Sequence, residues 1–319
     1  MALSARSAGT LGRTAALMAL LAAPGCVDIV GSDFGSAKYV ERDEKQFSVT
    51  GRPDVVLSTF DGSIEIRPWD KSEVQVVVEK RGRDKQDVDL IEVKATQDGN
   101  RLEIAVTEPH NRGGFNFEFN NHRSAKLFVS LPATSDVSAR SGDGSIDIER
   151  VSGKLQLRSG DGSIDGRMLS GAVNANTGDG SIKLADIKGD LNATTGDGRI
   201  TLNGQLTGVH ARSGDGSVVI ELEPGSAAEA DWDITTGDGS ITLAVPDGFG
   251  AEIDAHTGDG RVHLQDLSLT NVTGQLGRRS VRGQLGAGGS MVRVRTGDGS
   301  ITLRRSSSDF STTLPAERP

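Results

Sequence analysis

The sequence has only one cysteine, Cys26, among its 319 residues. A single cysteine excludes an internal disulfide, and it leaves an intermolecular bridge, a free thiol or a lipid anchor as its roles. The apolar run near the N-terminus, Ala15 to Ala23, is too short to cross a lipid bilayer. The sequence therefore predicts neither a disulfide framework nor a membrane-spanning helix at this position.

The first 25 residues have the features of a secretory signal peptide. Arg6 and Arg13 precede the apolar run, the segment has no acidic residue, and small residues follow the run. We therefore predict that residues 1–25 are removed and that the protein is exported.

Residues 22–26, Ala-Ala-Pro-Gly-Cys, resemble the bacterial lipobox, in which small residues precede a cysteine that becomes acylated. This resemblance favours a lipid anchor at Cys26, which would attach the mature chain to a membrane. Val27 rather than an aspartate follows the cysteine, and in lipoproteins of double-membraned bacteria this favours the outer membrane of the cell envelope. If cleavage follows Ala23 instead, the protein is secreted.

The chain lacks a surplus of basic residues. Its 35 Lys and Arg residues are outnumbered by 44 Asp and Glu residues, and the formal net charge is −9. Removal of the signal peptide takes away two positive charges and no negative one, so the mature chain carries −11. This balance, without a basic stripe, argues against nucleic acid or anionic lipid as a partner.

The mature sequence also lacks any window with a sustained helical period. Short runs of alternating apolar and polar residues appear instead, among them Val74–Val78, Leu102–Val106 and Lys126–Leu131. Alternation with a period of two is typical of β-strands that have one buried face. The predicted fold class is all-β.

A six-residue phrase, Ser/Thr-Gly-Asp-Gly-Ser/Arg-Ile/Val, occurs eight times between Ser141 and Ile301. The first four steps between copies are 18 residues long, and the later steps are 23, 21 and 39 residues. We interpret the last step as two ordinary steps with one degenerate copy between them. A weaker ninth copy spans Thr59 to Ile64. Such a repeat predicts an elongated protein built from similar structural units.

Apolar residues recur at fixed distances from the first glycine of each phrase. Ile or Val stands four residues after it and, almost always, Leu or Ile stands six residues after it, as in Ile182 and Leu184. This pattern predicts two short strands per unit, joined at the Gly-Asp-Gly corner, with a second bend near glycines such as Gly153 and Gly171. The apolar residues three positions before the first glycines are Ala139, Leu157, Ala175, Ala193, Ala211, Ile234, Ala255 and Val294.

Two assemblies of these units are compatible with the pattern. In a parallel β-solenoid each unit is one coil and like residues stack about 4.8 Å apart. In an antiparallel meander each unit is a hairpin with an Asp-Gly turn. We favour the solenoid, because small residues at one inward position and large residues at another form layers of like residues. Roughly ten to twelve coils would give a rod about 50 to 60 Å long.

The chain is expected to divide into five parts and one insertion. The parts are a signal peptide (1–25), a tether without fixed structure (26–45), N-terminal β coils or a cap (46–135), the repeat β-solenoid (136–305) and a disordered tail (306–319). The segment Leu276–Gly289 replaces the usual corner in its coil, and it is expected to form a loop or hairpin off the rod.

The corner residues are predicted to be structural. The glycines are expected to provide unusual backbone angles and close approach between coils, and the Ser or Thr before each corner to bond to amides within the turn. The aspartates would form a column of like charges bonded to turn amides. Calcium binding is the alternative, although the phrase matches neither the nonapeptide nor the EF-hand calcium loop, and no metal site is assigned. The corner residues are Gly142, Asp143, Gly144, Gly160, Asp161, Gly162, Gly178, Asp179, Gly180, Gly196, Asp197, Gly198, Gly214, Asp215, Gly216, Gly237, Asp238, Gly239, Gly258, Asp259, Gly260, Gly297, Asp298 and Gly299.

The sequence offers few candidates for catalysis. Asp147 and Asp165 are predicted to project outward from adjacent coils, as carboxylates do in some parallel β-helix enzymes, but nothing completes a site. His210, His256 and His263 share no recurring spacing, so they indicate neither a metal set nor a general base. We predict no catalytic residue and no cofactor.

One aromatic segment stands apart from the repeats. Phe115, Phe117 and Phe119 alternate with polar residues between Gly113 and Asn121. The alternation puts the three rings on one face, which predicts a buried edge or, as the alternative, an exposed contact patch.

The repeated corners, the strand and proline at Leu131-Pro132, and the Gly-Gln-Leu-Gly segment before the last corner together resemble the bacterial toastrack, or putative-adhesin, family. This is a domain of unknown function found on exported and membrane-linked proteins, and the resemblance covers roughly Gln46 to Arg304. It implies a β-solenoid-like domain at the cell envelope, with suggested roles in adhesion and envelope-stress signalling. It brings no catalytic residues to transfer.

The function expected from the sequence is that of a lipid-anchored, non-enzymatic module of the cell envelope. Its partners would be an envelope protein, a glycan or another copy of itself. Two alternatives stay open, a carbohydrate-active β-helix enzyme and a calcium-stabilised surface repeat protein. The enzyme would need an acidic cluster on one lateral face.

Overall fold

Strands form throughout the part of the chain that the structure describes. The computed structural model describes residues 39–108, 123–274 and 278–306. These residues contain 23 strands and one helix of five residues, so the all-β prediction is confirmed. The elements are β1 (Tyr39–Ser48), β2 (Asp54–Thr59), β3 (Ile64–Trp69), β4 (Glu73–Gly82), α1 (Lys85–Asp89), β5 (Glu92–Asp98), β6 (Arg101–Thr107), β7 (Ser124–Pro132), β8 (Asp136–Ser141), β9 (Ile146–Glu149), β10 (Ser152–Arg158), β11 (Ile164–Arg167), β12 (Ser170–Asn176), β13 (Ile182–Thr194), β14 (Ile200–Arg212), β15 (Val218–Leu222), β16 (Trp232–Thr236), β17 (Ile241–Val245), β18 (Ala251–Thr257), β19 (Val262–Gln265), β20 (Leu269–Gly274), β21 (Ser280–Leu285), β22 (Met291–Thr296) and β23 (Ile301–Arg305).

The repeat units stack in parallel and in register. Ile164 of β11 pairs with Ile146 of β9 on one side and with Ile182 of β13 on the other. Strands β8, β10 and β12 stack in the same parallel way. Like residues of successive units therefore lie side by side, which confirms the β-solenoid and excludes the antiparallel meander.

Each coil has two faces that meet at the Gly-Asp-Gly corner. We call the face built by strands that lead into the corners the entry face, and the face built by strands that leave them the exit face. Both faces belong to one continuous sheet, because β13 and β14 run through both of them. The ten parallel strands of the entry face are β6, β2, β8, β10, β12, the C-terminal parts of β13 and β14, β16, β22 and β18. Those of the exit face are β7, β3, β9, β11, the N-terminal parts of β13 and β14, β15, β17, β23 and β19.

The two faces enclose one apolar core that runs the length of the stack. The residues three positions before each corner, from Ala139 to Val294, are all buried, and so are Ile182 and Leu184 after a corner. A single coil cannot cover its own inward residues, so burial between stacked coils stabilises the fold, by roughly 25 cal/mol per Å² of apolar surface.

In some coils the second bend is made by a residue in the left-handed backbone region. Arg150 and Met168 have φ values of 53° and 52°, and each lies three residues before Gly153 or Gly171, the glycines predicted to be near the bend. Gly153 begins the next entry strand instead, where an added Cβ would collide with the carbonyl oxygen of Ser135. Close packing between coils therefore accounts for glycine at this position.

The first coil of the chain is not the first coil of the stack. Strand β2 pairs in parallel with β6 on one side and with β8 on the other. Strand β3 lies between β7 and β9 in the same way. The coil of residues 54–69, with the weak phrase Thr59–Ile64 at its corner, is therefore enclosed between the next two coils of the chain.

The last coil of the chain is enclosed in the same manner. Strand β22 pairs with both β16 and β18, and β23 pairs with both β17 and β19. Interpreting the 39-residue step as two ordinary steps with a degenerate copy is therefore wrong. The additional residues form strands β20 and β21, which lie antiparallel at the end of the entry face, and the chain then returns one coil. The predicted hairpin within Leu276–Gly289 thus extends the stack and does not project from the rod.

Antiparallel strands cover the N-terminal end of the stack. Strand β1 pairs with β4 and β4 with β7, while β5 pairs with β6. Because β1 begins at Tyr39, the predicted tether of residues 26–45 is wrong over residues 39–45. The charges that suggested a tether form cross-strand pairs, such as Arg42 with Glu79 at 2.7 Å.

Several predicted features lie outside the described residues. They are the signal peptide, Cys26, the aromatic segment Phe115 to Phe119 and residues 307–319 of the predicted tail. Among the residues that are described, no helix is long and apolar enough to cross a membrane.

Candidate functional site

The hydroxyl before each of the eight corners bonds to the neighbouring coil, and five of these hydroxyls also bond to their own turn. Ser159 Oγ accepts a hydrogen bond from Gly162 N at 3.0 Å and donates one to Gly144 O at 2.8 Å. Thr177 Oγ1 donates to Gly162 O in the same way, also at 2.8 Å. The bond within the turn was expected, whereas the bond between coils was not.

The corner glycines lie against the backbone of the preceding coil. A Cβ added to Gly178 would lie 2.6 Å from Gly160 O, and one added to Gly237 would lie 2.6 Å from Gly214 O. Of the glycines in the eight corners, none has a positive φ between 20° and 160°. The expectation of unusual backbone angles is therefore wrong, and close approach between coils is the reason that remains.

The corner aspartates form an exposed column along one edge of the rod. Asp259 pairs with Arg279 at 3.1 Å, and no donor within the described ranges bonds to the other seven carboxylates. Turn amides bond instead to carbonyls of the preceding coil, as Asp215 N does to Gly196 O at 3.3 Å. The expected capping by aspartate is therefore wrong, because hydroxyls and carbonyls already satisfy the turn. Within the same ranges, no group of three or more His, Cys, Asp or Glu is placed to hold a metal ion.

The carboxylates considered for catalysis lie side by side on the exit face. Asp165 is in register with Asp147, and Asp147 is in register with Glu65. Arg67 forms ion pairs with Glu65 at 3.1 Å, Asp147 at 2.5 Å and Glu149 at 3.7 Å. Burial raises the pKa of the Asp165 carboxyl above its ordinary value, and the charge of Asp147 raises this pKa further. The predicted neighbours are thus adjacent, and Arg67 pairs with the other three carboxylates of the cluster but not with Asp165.

The three histidines do not converge. His210 and His256 project from the entry face on different coils, and His263 projects from the exit face. Neither a metal set nor a shared general base can form from side chains on opposite faces.

A groove with a volume of about 380 Å³ lies on the entry face. Its floor crosses four successive coils, where the small residues Ala172 and Gly208 leave room between larger neighbours. Ala230 and Asp231, from the longer unit between Gly214 and Gly237, border it on one side. A volume of this size is in the range of small-molecule and ligand sites.

Polar side chains line the groove in register. Gln156 pairs with Asn174, Asn174 with Asn192, and Asn192 with His210, one on each coil. We call these four residues the amide row. Strand geometry spaces them about 4.8 Å apart along the rod axis. The amide row therefore presents hydrogen-bond donors and acceptors at a regular interval.

A second row runs beside the groove, two residues nearer the corners. It consists of Arg140, Arg158, Asn176, Thr194 and Arg212, which are in register across five coils. We call it the arginine row. In the part of the chain that the structure describes, the side chains of neither row hydrogen-bond to or form an ion pair with another residue. Both rows are therefore free to contact a ligand.

A family model describes most of this stack. The model of Toastrack DUF4097, a domain of unknown function, matches residues 54–304. The chain belongs to the toastrack family. The match includes all ten coils, the groove and both polar rows, and it begins at the first residue of β2. The resemblance identified from the corner phrases is thus confirmed.

Solved structures with distant similarity include proteins from three bacteria. A "putative cell adhesion protein" from Clostridium sporogenes is 14% identical, with 83% of this chain and 99% of that chain covered and a TM-score of 0.29. A "putative adhesin" from Bacteroides fragilis is 11% identical, with 82% and 97% covered and a TM-score of 0.34. A "putative lipid binding protein" from Parabacteroides distasonis is 12% identical, with 82% and 96% covered and a TM-score of 0.34. No curated protein matches this toastrack chain.

The groove and the two rows of this toastrack domain were not predicted from the repeat. The positions four and two residues before each first glycine differ from copy to copy, as in Gln156 and His210, so they do not stand out in the repeat. An alignment of the outward positions of successive units would have revealed both rows. The signal was present as a run of amides and cations without a carboxylate.

Proposed function

We propose that this toastrack chain is a non-enzymatic binding module whose contact surface is the entry-face groove together with the amide and arginine rows. One observation carries the proposal: polar side chains without protein partners stand in register over successive coils beside a ligand-sized groove. Paired strands hold the backbone at these positions, so a ligand would meet an already ordered backbone, and only the side chains would lose conformational entropy on binding.

The chemistry of the groove favours binding over catalysis. Neither serine nor cysteine lines it, and the Asp190 carboxylate accepts a hydrogen bond from Thr207 Oγ1 at 2.7 Å. Asp231 accepts one from Met291 N at 3.0 Å and pairs with Arg293 at 3.3 Å. The acids beside the groove are thus held by the protein itself, and they lack the free base and nucleophile pair that covalent catalysis needs.

The proposal includes a location at the cell envelope. Residues 1–25 would direct export, and acylation of Cys26 would anchor the chain to the outer membrane. Residues 27–38 would then connect the anchor to β1, at the N-terminal end of the rod. Such an arrangement would hold the entry face away from the membrane, where it could contact an envelope protein, a glycan or another copy of the chain.

The contact surface can be tested by binding to isolated cell envelopes. In the Cys26→Ser background, which lacks the proposed lipid anchor, we expect the double variant Asn174→Ala/Asn192→Ala to pellet with isolated envelopes at least fivefold less than the protein that keeps both asparagines. The matched control is Thr201→Ala/Thr242→Ala, which removes two half-buried polar side chains from the exit face. Equal binding of all three proteins would contradict the proposed surface.

A separate measurement, the release of reducing ends, tests the proposed absence of catalysis. Envelope polysaccharide incubated with the wild type should release no new reducing ends, and Asp165→Asn should behave identically. Release that disappears in Asp165→Asn would instead favour the carbohydrate-active enzyme.

A further inference from the structure

The two faces of the rod differ in the charges they present. Over the middle coils, the outward positions of the amide and arginine rows include Arg140, Arg158 and Arg212 and no carboxylate. At the equivalent level, the exit face presents Asp147, Glu149 and Asp165 as well as Arg167 and Lys183. In a chain with a net charge of −9, the two entry-face rows thus carry no charged residue other than arginine, whereas the exit face mixes both signs.

The cations of the arginine row are available to an external anion. Arg140 and Arg158 are neighbours in register, and neither forms an ion pair within the described ranges. Arg67 on the exit face, in contrast, pairs with three carboxylates. An arginine prefers a carboxylate or phosphate partner with planar or tetrahedral oxygens, so an unpartnered pair of arginines indicates an anionic ligand.

We propose that the entry face binds an acidic polysaccharide laid along the rod axis. This inference rests on the proposed function, in which the same face is the contact surface. Arg140, Arg158 and Arg212 would pair with carboxylates of the sugar units at their own coils, and the amide row would bond to sugar hydroxyls in the groove. Binding is non-covalent, and no bond in the polymer is broken.

The regular spacing of the rows favours an extended polymer over a small molecule. Each coil repeats the same two outward positions about 4.8 Å further along the axis, and the rows continue over four or five coils. A polymer with one acidic group per unit can therefore use several coils at once. Each additional coil multiplies affinity through effective concentration, even if the contact at one coil is weak.

The side chains favour a sugar over the other anionic polymers. An amide group offers both donors and an acceptor, which suits a hydroxyl that also donates and accepts. Single-stranded nucleic acid would need several aromatic rings on which successive bases stack, and the two rows hold a single ring, the imidazole of His210. An extended peptide usually binds a free sheet edge, whereas the entry strands at this level are paired on both sides.

The experiment is a calorimetric titration of the purified mature chain, from residue 26 onward, in detergent. The probe is polygalacturonate, and its fully methyl-esterified form is the uncharged control with the same backbone. We expect the acid form to bind at least tenfold more tightly than the ester at near-physiological salt. Equal affinity of the two forms, or no binding of the acid form, would overturn the inference.

Charge variants test where the polymer binds. Arg140→Gln/Arg158→Gln should lower the affinity for polygalacturonate at least tenfold. Arg167→Gln/Lys183→Gln removes the same two charges from adjacent coils of the exit face, and it should change the affinity less than twofold. Equal losses in both variants would mean unspecific attraction and would overturn the inference. Should the first variant fold poorly by circular dichroism, Arg212→Gln tests the same row, with a loss of at least threefold expected.

Poly-glutamate separates this inference from the proposed function. If poly-glutamate binds more tightly than polygalacturonate and loses affinity in Arg140→Gln/Arg158→Gln, the ligand is an acidic protein segment and the polysaccharide inference is wrong. The entry face would still be the contact surface. The proposed function itself fails in the envelope assay, where the alanine variants of the amide row would then bind like the protein that keeps both asparagines.

Discussion

Ser159 Oγ donates a hydrogen bond to Gly144 O, 2.8 Å away, and this bond joins two neighbouring coils at their corners. The same oxygen accepts a hydrogen bond from the amide of Gly162 at 3.0 Å. One buried hydroxyl therefore satisfies a donor in its own turn and an acceptor in the corner of the preceding coil. Equivalent hydroxyl-to-carbonyl bonds recur at Thr177, Thr195 and Ser213. The corners are therefore linked into a continuous line of hydrogen bonds.

We expect Ser159→Ala to lower the free energy of unfolding by about 1 to 3 kcal/mol, because a buried amide and a carbonyl lose a partner. Ser163→Ala is the matched control, since Ser163 occupies the same corner and its side chain has no hydrogen-bond partner among the described residues. It should cost less than about 0.5 kcal/mol. Denaturant unfolding of both variants gives the comparison, and equal costs would contradict the role of the hydroxyl.

The glycine at the start of a corner should tolerate no side chain. We expect Gly178→Ala to destabilise the fold by about 1 to 3 kcal/mol, because its Cβ would lie 2.6 Å from Gly160 O and the two coils would have to separate. The control is Asn176→Ala, an exposed position two residues earlier, which should change the melting temperature little. Similar melting temperatures for the two variants would show that the backbone can relax and would contradict close packing as the reason for glycine.

The middle of the fold could be predicted from the sequence because each coil repeats the same local pattern. Alternation around Ile182 and Leu184, with alanine at the opposite inward position, specifies strand, corner and buried face. Each of these is a short-range property of the chain. Parallel stacking then follows, since a coil can bury its inward residues only against a similar coil.

The order of the end coils could not be predicted, because the period gives the order of coils along the chain and not their order in space. Residues 291–305 carry a normal corner phrase, yet they stack between two earlier coils. The β20–β21 segment determines the position of the last coil, because β21 pairs antiparallel with β18 and covers the edge of this end strand. An enclosed coil has both strand edges paired, which protects the end of the rod from unwanted strand pairing.

The candidate binding surface escaped prediction for a different physical reason. The repeated residues maintain the stack, whereas a ligand contacts only outward positions, which are free to vary. Arg158 and Asn176 occupy the same outward position, and no rule of folding relates them. Their importance is visible only when the register between coils is known.

The proposed membrane attachment depends on Cys26, which precedes the described residues. We expect Cys26→Ser to move the protein from the membrane fraction to the soluble exported fraction, because the variant would lose the proposed acyl chains and no helix among the described residues is long and apolar enough to cross a membrane. Metabolic labelling with a fatty-acid analogue should mark the wild type and not the variant. Unchanged fractionation of Cys26→Ser would contradict the anchor.

The C-terminal end of the stack should be sensitive to acid through Asp254. This buried carboxylate accepts hydrogen bonds from Arg295 at 2.7 Å and Arg282 at 2.8 Å. Burial alone would raise its pKa, but the two arginines outweigh burial and hold the pKa of Asp254 below its ordinary value of 3.8. A folded-state pKa below the unfolded one means stability that is complete above the unfolded pKa and is lost as the pH falls through the folded pKa.

We therefore expect Asp254→Asn to be less stable than the wild type at pH 7, by about 1 to 3 kcal/mol. The difference should shrink as the pH falls below the unfolded pKa and disappear once the pH lies below the lowered folded pKa, where the wild-type carboxyl is protonated as well. Asp259→Asn is the control, because Asp259 forms an exposed ion pair with Arg279 and should contribute less than about 1 kcal/mol at any pH. Unfolding measured as a function of pH tests this, and a pH-independent cost of Asp254→Asn would contradict it.

The exposed aspartate column should oppose the fold through repulsion. The Asp179 and Asp197 carboxylates lie on adjacent coils without a protein donor, and in water such a neighbour costs roughly 1 kcal/mol or less. We expect Asp179→Asn/Asp197→Asn to raise the melting temperature by about 1 to 3 °C at low salt, with a smaller rise at high salt because salt screens exposed charges. If the carboxylates capped turn amides, the same variant would melt lower.

Calcium supplies the remaining comparison, since a column bridged by cations would lose stability on chelation by mass action. We expect the wild-type melting temperature to be nearly equal in millimolar calcium and in excess chelator, and a fall of ten degrees or more on chelation would establish the calcium-stabilised alternative.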